Sequence, residues 1–250
     1  LRDPYNQTLL KMDKRCSAEM TKYASNDFLA LKISFINEIA NLCEKLGANI
    51  EDVTKGMGYD PRIGNKFLKA GIGYGGSCFP KDTKALYWLS KQVGCESKLI
   101  GDTIEVNSAQ KLKLFDKAYN DFDGDFKDKK IAILGVTFKP ETDDLRESPS
   151  IDNTKLLLEY GAIVNAYDPV GLPNFKKLFA DKVNYFDTIE DAIKNCDVAF
   201  IMTEWSDIVN FDLNKYAELM NTPVVYDGRN CYSLDDVKKV KNLKYTSIGR

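Results

Sequence analysis

The stretch GIGYGGSCFPKDTKAL, residues 71–86, holds a literal G-x-G-x-x-G at Gly71, Gly73 and Gly76. If these glycines opened a dinucleotide-binding βαβ unit, the parallel sheet would lie in the first half of the chain. If they serve Cys78 instead, the sheet lies elsewhere. A dinucleotide fingerprint needs a strand before it, a helix opening on the third glycine, and an acidic residue about 20 positions on at the end of a second strand. Upstream, NKFLKA carries no strand pattern. Downstream, Pro80 disfavours helix at Phe79, so the pattern predicts a helix from about Lys81 to Val93. Glu96 has the right offset, but GCES is not the end of a strand. The match is a decoy.

Outward from that stretch, the first half reads as helical. Ser17 as N-cap, Glu19 in the first turn and Gly47 as C-cap bound one long helix. Its middle is apolar on nearly every face (Phe28, Leu29, Leu31, Ile33, Phe35, Ile36, Ile39), so it is expected to be buried on most sides and to pack against more than one neighbour. ANIEDVTKGMG reads as a short helix. ESKLIGDTIEVNSAQKLKLFDKAYNDF reads as a second long helix joining two domains, with Ile100, Ile104, Leu112, Phe115 and Tyr119 near helical spacing. The charged DFDGDFKDKK marks a boundary near 121–129.

Beyond it the period changes. Residues 130–136, 162–168, 182–186, 197–202, 223–227 and 243–248 are short β-rich runs, most of them separated by helical segments. That alternation predicts an α/β fold with a doubly wound parallel sheet, whose ligands sit at the carboxyl ends of strands. Ser148-Pro149 reads as a helix N-cap and first residue. Asp168 imitates a ribose-binding acid, but GVTFKPE after the first strand lacks the glycine spacing, so Asp168 reads as structural or as a turn former before Pro169.

Composition narrows the partners. The chain has 250 residues, 44% of them apolar, and a formal charge of −2 with both signs interspersed. Nothing there offers nucleic acid an electrostatic footprint. No apolar run reaches the ~18–20 residues of a membrane span, and no signal-peptide pattern opens the chain, so a cytoplasmic location is expected. Six cysteines lack C-x-x-C spacing, which argues against a zinc site and for reduced thiols. There is no histidine, so acid–base chemistry must come from Asp, Glu, Lys, Tyr or Cys. Cys78 is the cysteine with a reactive setting: clustered glycines that let backbone approach a ligand, a following helix start, and Lys81, which together favour thiolate over thiol. Asp82 could act on water or hold the lysine.

FLKAGIGYGGSCFPKD resembles the catalytic-cysteine segment of the nucleotide-sugar 6-dehydrogenases, the UDP-glucose/GDP-mannose dehydrogenase family. SAEMTKYASNDFLALKISFINEIANLCEKLGA, FKPETDDLRESPS and YDGRN agree in order and spacing, from about Tyr5 onward. The resemblance implies a helical central dimerisation domain at 1–96, a connecting helix and linker at 97–125, and a Rossmann-like UDP-sugar-binding domain at 126–250. It implies oxidation of a sugar C6 alcohol to a carboxylate by two NAD⁺, with Cys78 as nucleophile and Asp82 assisting the hydrolytic water. Lys22 and Asn26, four apart on one helix face, would stabilise a developing alkoxide or orient water. Phe67, Lys69, Gly75, Phe138, Lys139 and Arg229 would hold the nucleotide-sugar, with Arg229 suited to bidentate contact with an anion. Arg62 would reach the substrate of a neighbouring subunit, and Arg146 and Lys81 would touch NAD. The main NAD site is expected in an N-terminal domain that this sequence lacks, LRDPYNQT resembling the end of the linker after it. A homodimer through the long helix is expected. The wording of the cysteine segment is nearest to members that take UDP-glucose, ahead of GDP-mannose or UDP-N-acetylhexosamine. A non-catalytic nucleotide-sugar-binding and dimerisation module, or a thiol enzyme of unrelated chemistry, stay open as alternatives.

Overall fold

The computed structural model describes residues 11–250, so the LRDPYNQT reading lies outside it. Helix α1 (Arg15–Leu46) runs 32 residues and ends where expected, on Gly47 in the left-handed conformation. Its start differs from expectation: Lys14 is the N-cap without a side-chain bond, and Ser17 lies inside the first turn and caps nothing. Helix α2 (Ile50–Gly58) is capped by Asn49, whose side chain accepts from the Glu51 amide. Helix α3 (Cys78–Gln92) begins three residues earlier than Pro80 led one to expect. Pro80 falls within the first turn, where its missing N–H has no intrahelical partner to lose.

The second long helix is two: α4 (Lys98–Lys111) and α5 (Lys113–Asp121), interrupted at Leu112. The buried face of α4 is not the one marked by Ile100 and Ile104, which are half-buried, but Thr103, Asn107, Gln110 and Lys111. Helix α4 packs beside α1 and α3, and its polar side chains are consumed by backbone and charge partners described below.

Six parallel strands follow, β1 (Lys130–Leu134), β2 (Ile163–Tyr167), β3 (Val183–Phe186), β4 (Val198–Ile201), β5 (Val224–Asp227) and β6 (Lys244–Thr246), in the order β3-β2-β1-β4-β5-β6. The chain crosses from β3 back to β4 beside β1, creating a switch point between β1 and β4. Alternate side chains feed two cores. Ile131, Ile133, Phe200 and Tyr226 face α1, α5 and the helix α6 (Pro149–Glu159), while Ala132, Leu134, Ile201 and Val225 face the other layer with Trp205 and Tyr216. Helix α6 has the expected Ser148 cap and Pro149 at its first position. The charged 121–129 segment is anchored rather than loose, because Phe126 is fully buried against Phe115 and Tyr160.

Asp168, at the end of β2, proves to be a loop organiser. Its Oδ2 accepts from the amides of Val136 (2.7 Å) and Thr137 (3.2 Å), from Thr137 Oγ1 (3.2 Å) and from Trp205 Nε1 (3.0 Å). Its Oδ1 accepts from the amides of Val170 (3.0 Å) and Gly171 (2.7 Å). Both oxygens are saturated, as the turn-former reading requires.

Candidate functional site

Cys78 is the first residue of α3 and is exposed, as Cys16 and Cys95 are, whereas Cys43 and Cys196 are buried. What separates Cys78 from the other exposed thiols is the group one turn on. Asp82 is wholly buried, and its Oδ2 accepts from Lys22 Nζ at 3.0 Å and Asn26 Nδ2 at 2.6 Å, while Oδ1 pairs with Lys81 Nζ. Burial pushes the Asp82 carboxyl up, and the hydrogen bonds from Lys81, Lys22 and Asn26 outweigh it, holding the group below its ordinary value. The i, i+4 spacing of Lys22 and Asn26 thus brings both to one oxygen. Asp82 holds two lysines, so it is an ionised anchor beside the thiol.

Behind this cluster stands an acid that sequence reading passed over. Asp27, next to Asn26, is 7% exposed and neither carboxylate oxygen has a partner. Burial, with the charge of Asp82 second, raises its pKa to about 6.

A cavity of about 250 Å³ opens next to the thiol loop, lined by Phe67, Lys69, Gly75, Phe138, Lys139 and Arg229, all six of the residues expected to hold nucleotide-sugar. Phe138 and Lys139 lie beyond the carboxyl end of β1, at the switch point. Phe67 stacks obliquely on Phe79 at 6.1 Å and adopts a positive φ of 62°. The fork expected at Arg229 is already part-used. Its Nε donates to the Met202 carbonyl (2.8 Å) and Nη1 to the Gly73 carbonyl (3.0 Å), which leaves Nη2 buried with no partner. An unpaired buried guanidinium nitrogen costs free energy that an anion would recover.

The glycines of the opening stretch have a nearer use than approach to a ligand. A Cβ on Gly75 would sit 2.5 Å from the Glu147 carbonyl oxygen, and one on Gly73, whose φ is +80°, would sit 2.6 Å from Asn107 Oδ1. They let the thiol loop lie flat against the rest of the protein. Amide side chains then fasten it. Asn107 accepts from the Tyr74 N–H (2.8 Å) and donates to the Tyr74 carbonyl (3.1 Å), while Asn37 accepts from the Gly71 N–H (2.9 Å) and Gln110 donates to its carbonyl (2.7 Å). Glu147 adds a charged tie, bonded to Lys84 and Lys111 at 2.7 Å each, which holds its carboxyl at about 2. None of these residues was singled out from sequence. Asn107 and Gln110 carry one usable signal, being polar residues on an interior helix face.

Two expected residues stand apart from the cavity. Arg62 is exposed on the loop after α2, paired with Asp60, and points its charge to solvent. Arg146 forms a bidentate pair with Asp144 (2.9 and 2.8 Å). With Lys81 and Lys84 it borders a shallow depression at the start of α3, a helix end that no side chain caps. Glu147 lines the same depression and pairs with Lys84 at 2.7 Å. Among the described residues nothing resembles the strand, glycine turn and helix that would hold a dinucleotide.

A sheet of this order with a basic cleft at its switch point is a nucleotide-binding architecture, here joined to a helical layer that presents a supported thiol. The chain belongs to the UDP-glucose/GDP-mannose dehydrogenase family, matching its central domain over residues 16–109 and its UDP-binding domain over residues 132–234. It is 51% identical over 247 residues to UDP-glucose 6-dehydrogenase YwqF of Bacillus subtilis (strain 168), covering 99% of this chain and 56% of that protein. It is 46% identical over 245 residues to UDP-glucose 6-dehydrogenase of Rhizobium meliloti (strain 1021), covering 98% and 56%. The chain thus spans about half the length of the curated relatives it matches. A UDP-glucose dehydrogenase structure from Pyrobaculum islandicum superposes with a TM-score of 0.81 at 34% identity, over 92% of this chain and 50% of that one. An NDP-N-acetyl-D-galactosaminuronic acid dehydrogenase structure from Methanosarcina mazei gives 0.80 at 29%, over 94% and 51%. Among the described residues no helix is long and apolar enough to cross a membrane.

Proposed function

We propose that this chain carries the thiol and nucleotide-holding parts of a UDP-glucose 6-dehydrogenase, oxidising UDP-glucose to UDP-glucuronate. The observation behind the reading is the exposed Cys78 one helical turn from Asp82, on which Lys22 and Asn26 converge. The UDP moiety occupies the basic cavity, its phosphates meeting the Arg229 guanidinium and Lys69, with Phe67 and Phe138 as apolar walls. That directs the sugar toward α3. Two NAD⁺ bound in succession would each accept one hydride, and Arg146 and Lys81 would hold the phosphate edge of each.

The C6 alcohol would give its hydride to the first NAD⁺ and its hydroxyl proton to solvent, becoming an aldehyde. The Cys78 sulfur bonds to that carbon, and Lys22 and Asn26 stabilise the resulting alkoxide oxygen. Loss of a second hydride converts the thiohemiacetal to a thioester. Water then attacks the thioester carbon, the carbon–sulfur bond breaks, and the carboxylate leaves with Cys78 regenerated. Asp82, ionised by its lysine partners, orients that water and positions Lys22.

Calorimetric titration with UDP-glucose, UDP-N-acetylmannosamine and GDP-mannose tests the substrate. UDP-glucose is expected to bind and the other two at least about tenfold more weakly, the scale of one well-placed polar contact. Binding of either of the others in the absence of UDP-glucose binding overturns the assignment.

The same reading includes a homodimer through α1. Phe28, Phe35 and Leu42, spaced seven apart, and Leu46 leave an apolar stripe 45–72% exposed on that helix, a larger continuous face than scattered surface residues make. A second copy covers it, bringing Arg62 toward a neighbouring substrate. Sedimentation is expected to give a dimer at micromolar concentration, and a monomer there would remove this part of the proposal.

A further inference from the structure

The cavity contains one carboxylate. Glu204 lies three residues beyond β4, on the other side of the switch point from Phe138 and Lys139. Its Oε1 is 3.8 Å from Lys69 Nζ and its Oε2 is 3.5 Å from Arg229 Nε, while that same Nε donates to the Met202 carbonyl. These are loose charge contacts. Glu204 makes no side-chain hydrogen bond among the described residues and is 30% exposed. A carboxylate offers about four lone-pair positions, and here all remain available.

An acid placed where a diphosphate is to bind repels it unless the acid faces another part of the ligand. The parts of uridine diphosphate that donate hydrogen bonds are its ribose hydroxyls and the uracil N3–H. Two vicinal hydroxyls match two carboxylate oxygens. In dinucleotide folds that task falls to an acid at the end of the second strand, but here Asp168 has both oxygens filled by main-chain, threonine and indole donors. Glu204 is the free acid at the crevice.

We infer that Glu204 is the ribose-binding residue of the nucleotide-sugar site, accepting from the 2′- and 3′-hydroxyls while Arg229 and Lys69 beside it meet the diphosphate. This rests on the proposed occupancy of the cavity by a nucleotide-sugar. It transfers the ribose-reading role from the end of β2 to the segment after β4, and makes the site selective for ribonucleotides.

Titration of the full-length protein with UDP and with 2′-deoxy-UDP, in wild type and in Glu204→Gln, tests it. Wild type is expected to prefer UDP by about tenfold or more, the scale of a hydrogen bond to a charged acceptor. In Glu204→Gln that preference is expected to fall below about threefold through weaker UDP binding, with 2′-deoxy-UDP little changed. Failure of wild type to bind UDP at all would remove the underlying occupancy. UDP binding with an undiminished preference in the variant would overturn the role of Glu204 alone. Tighter binding of both ligands by the variant would make Glu204 a mere counter-ion, and would equally overturn it.

Discussion

Cys78→Ser in the full-length protein is expected to bind UDP-glucose within about twofold of wild type and to lose net formation of the acid by on the order of 10³-fold or more, the scale seen when a covalent nucleophile is removed. The alcohol oxygen of serine is a far weaker nucleophile than sulfur, and Asp82, held ionised by Lys22, Asn26 and Lys81, is too weak a base to take the proton of an alcohol. Binding is expected to be spared because the cavity proposed for the nucleotide is lined by Phe67, Lys69, Phe138 and Arg229 and not by the thiol. The measurement is turnover to UDP-glucuronate beside a calorimetric titration. Retained turnover would rule out a thiohemiacetal and thioester on Cys78, and lost binding would move Cys78 from chemistry to structure.

The second large effect is on stability and depends on pH. Asp27 is buried without a partner, and its pKa in the folded protein is raised from 3.8 to about 6. An acid with a raised folded pKa binds its proton more tightly when folded, so stability falls as pH rises from about 4 through about 6 and the full penalty applies above that. A rise of that size makes the ionised form cost about 3 kcal/mol in the folded protein. Asp27→Asn keeps the shape and removes the ionisation, so it is expected to match wild type near pH 4 and to exceed it by up to about 3 kcal/mol at pH 8. Urea unfolding at the two pH values measures this. A gain of equal size at both would mean that packing, and not the buried charge, is responsible.

Much of the second half was legible because its forces are local. Runs such as KIAILGV and DVAFIM are β-rich whatever surrounds them, and each strand falls within the run predicted for it. The turn role of Asp168 and the cap at Ser148 were readable for the same reason. The helical half misled where a local rule met a long-range partner. Pro80 only removes an amide that the first turn of α3 does not use, so the helix starts at Cys78. Ile100 and Ile104 advertised an apolar face for α4, yet the interior side is Asn107, Gln110 and Lys111, because their partners at Tyr74, Gly71 and Glu147 lie more than 30 positions away in the chain. Lys22 and Asn26 were singled out by the family resemblance, their spacing placing them on one face, but that Asp82 is where they meet needed the fold. Glu204 and Asp27 carry no sequence signal at all, since Asp27 is marked by burial without a partner and Glu204 by its place among Lys69 and Arg229 in the cavity.

Arg229 joins the two halves at a single side chain: one nitrogen is bound to Met202 after β4, another to Gly73 in the thiol loop, and the third is buried without a partner. For anyone recombining relatives, this means that the segment carrying Arg229 is not an exchangeable cassette. A graft taken at the boundary near residue 126 would bring an arginine fitted to a foreign loop, and the register of that loop sets where the sulfur sits. A chimera that exchanges the segment after residue 126 is therefore expected to keep its fold at this joint only when the glycine segment 71–77 comes from the same donor.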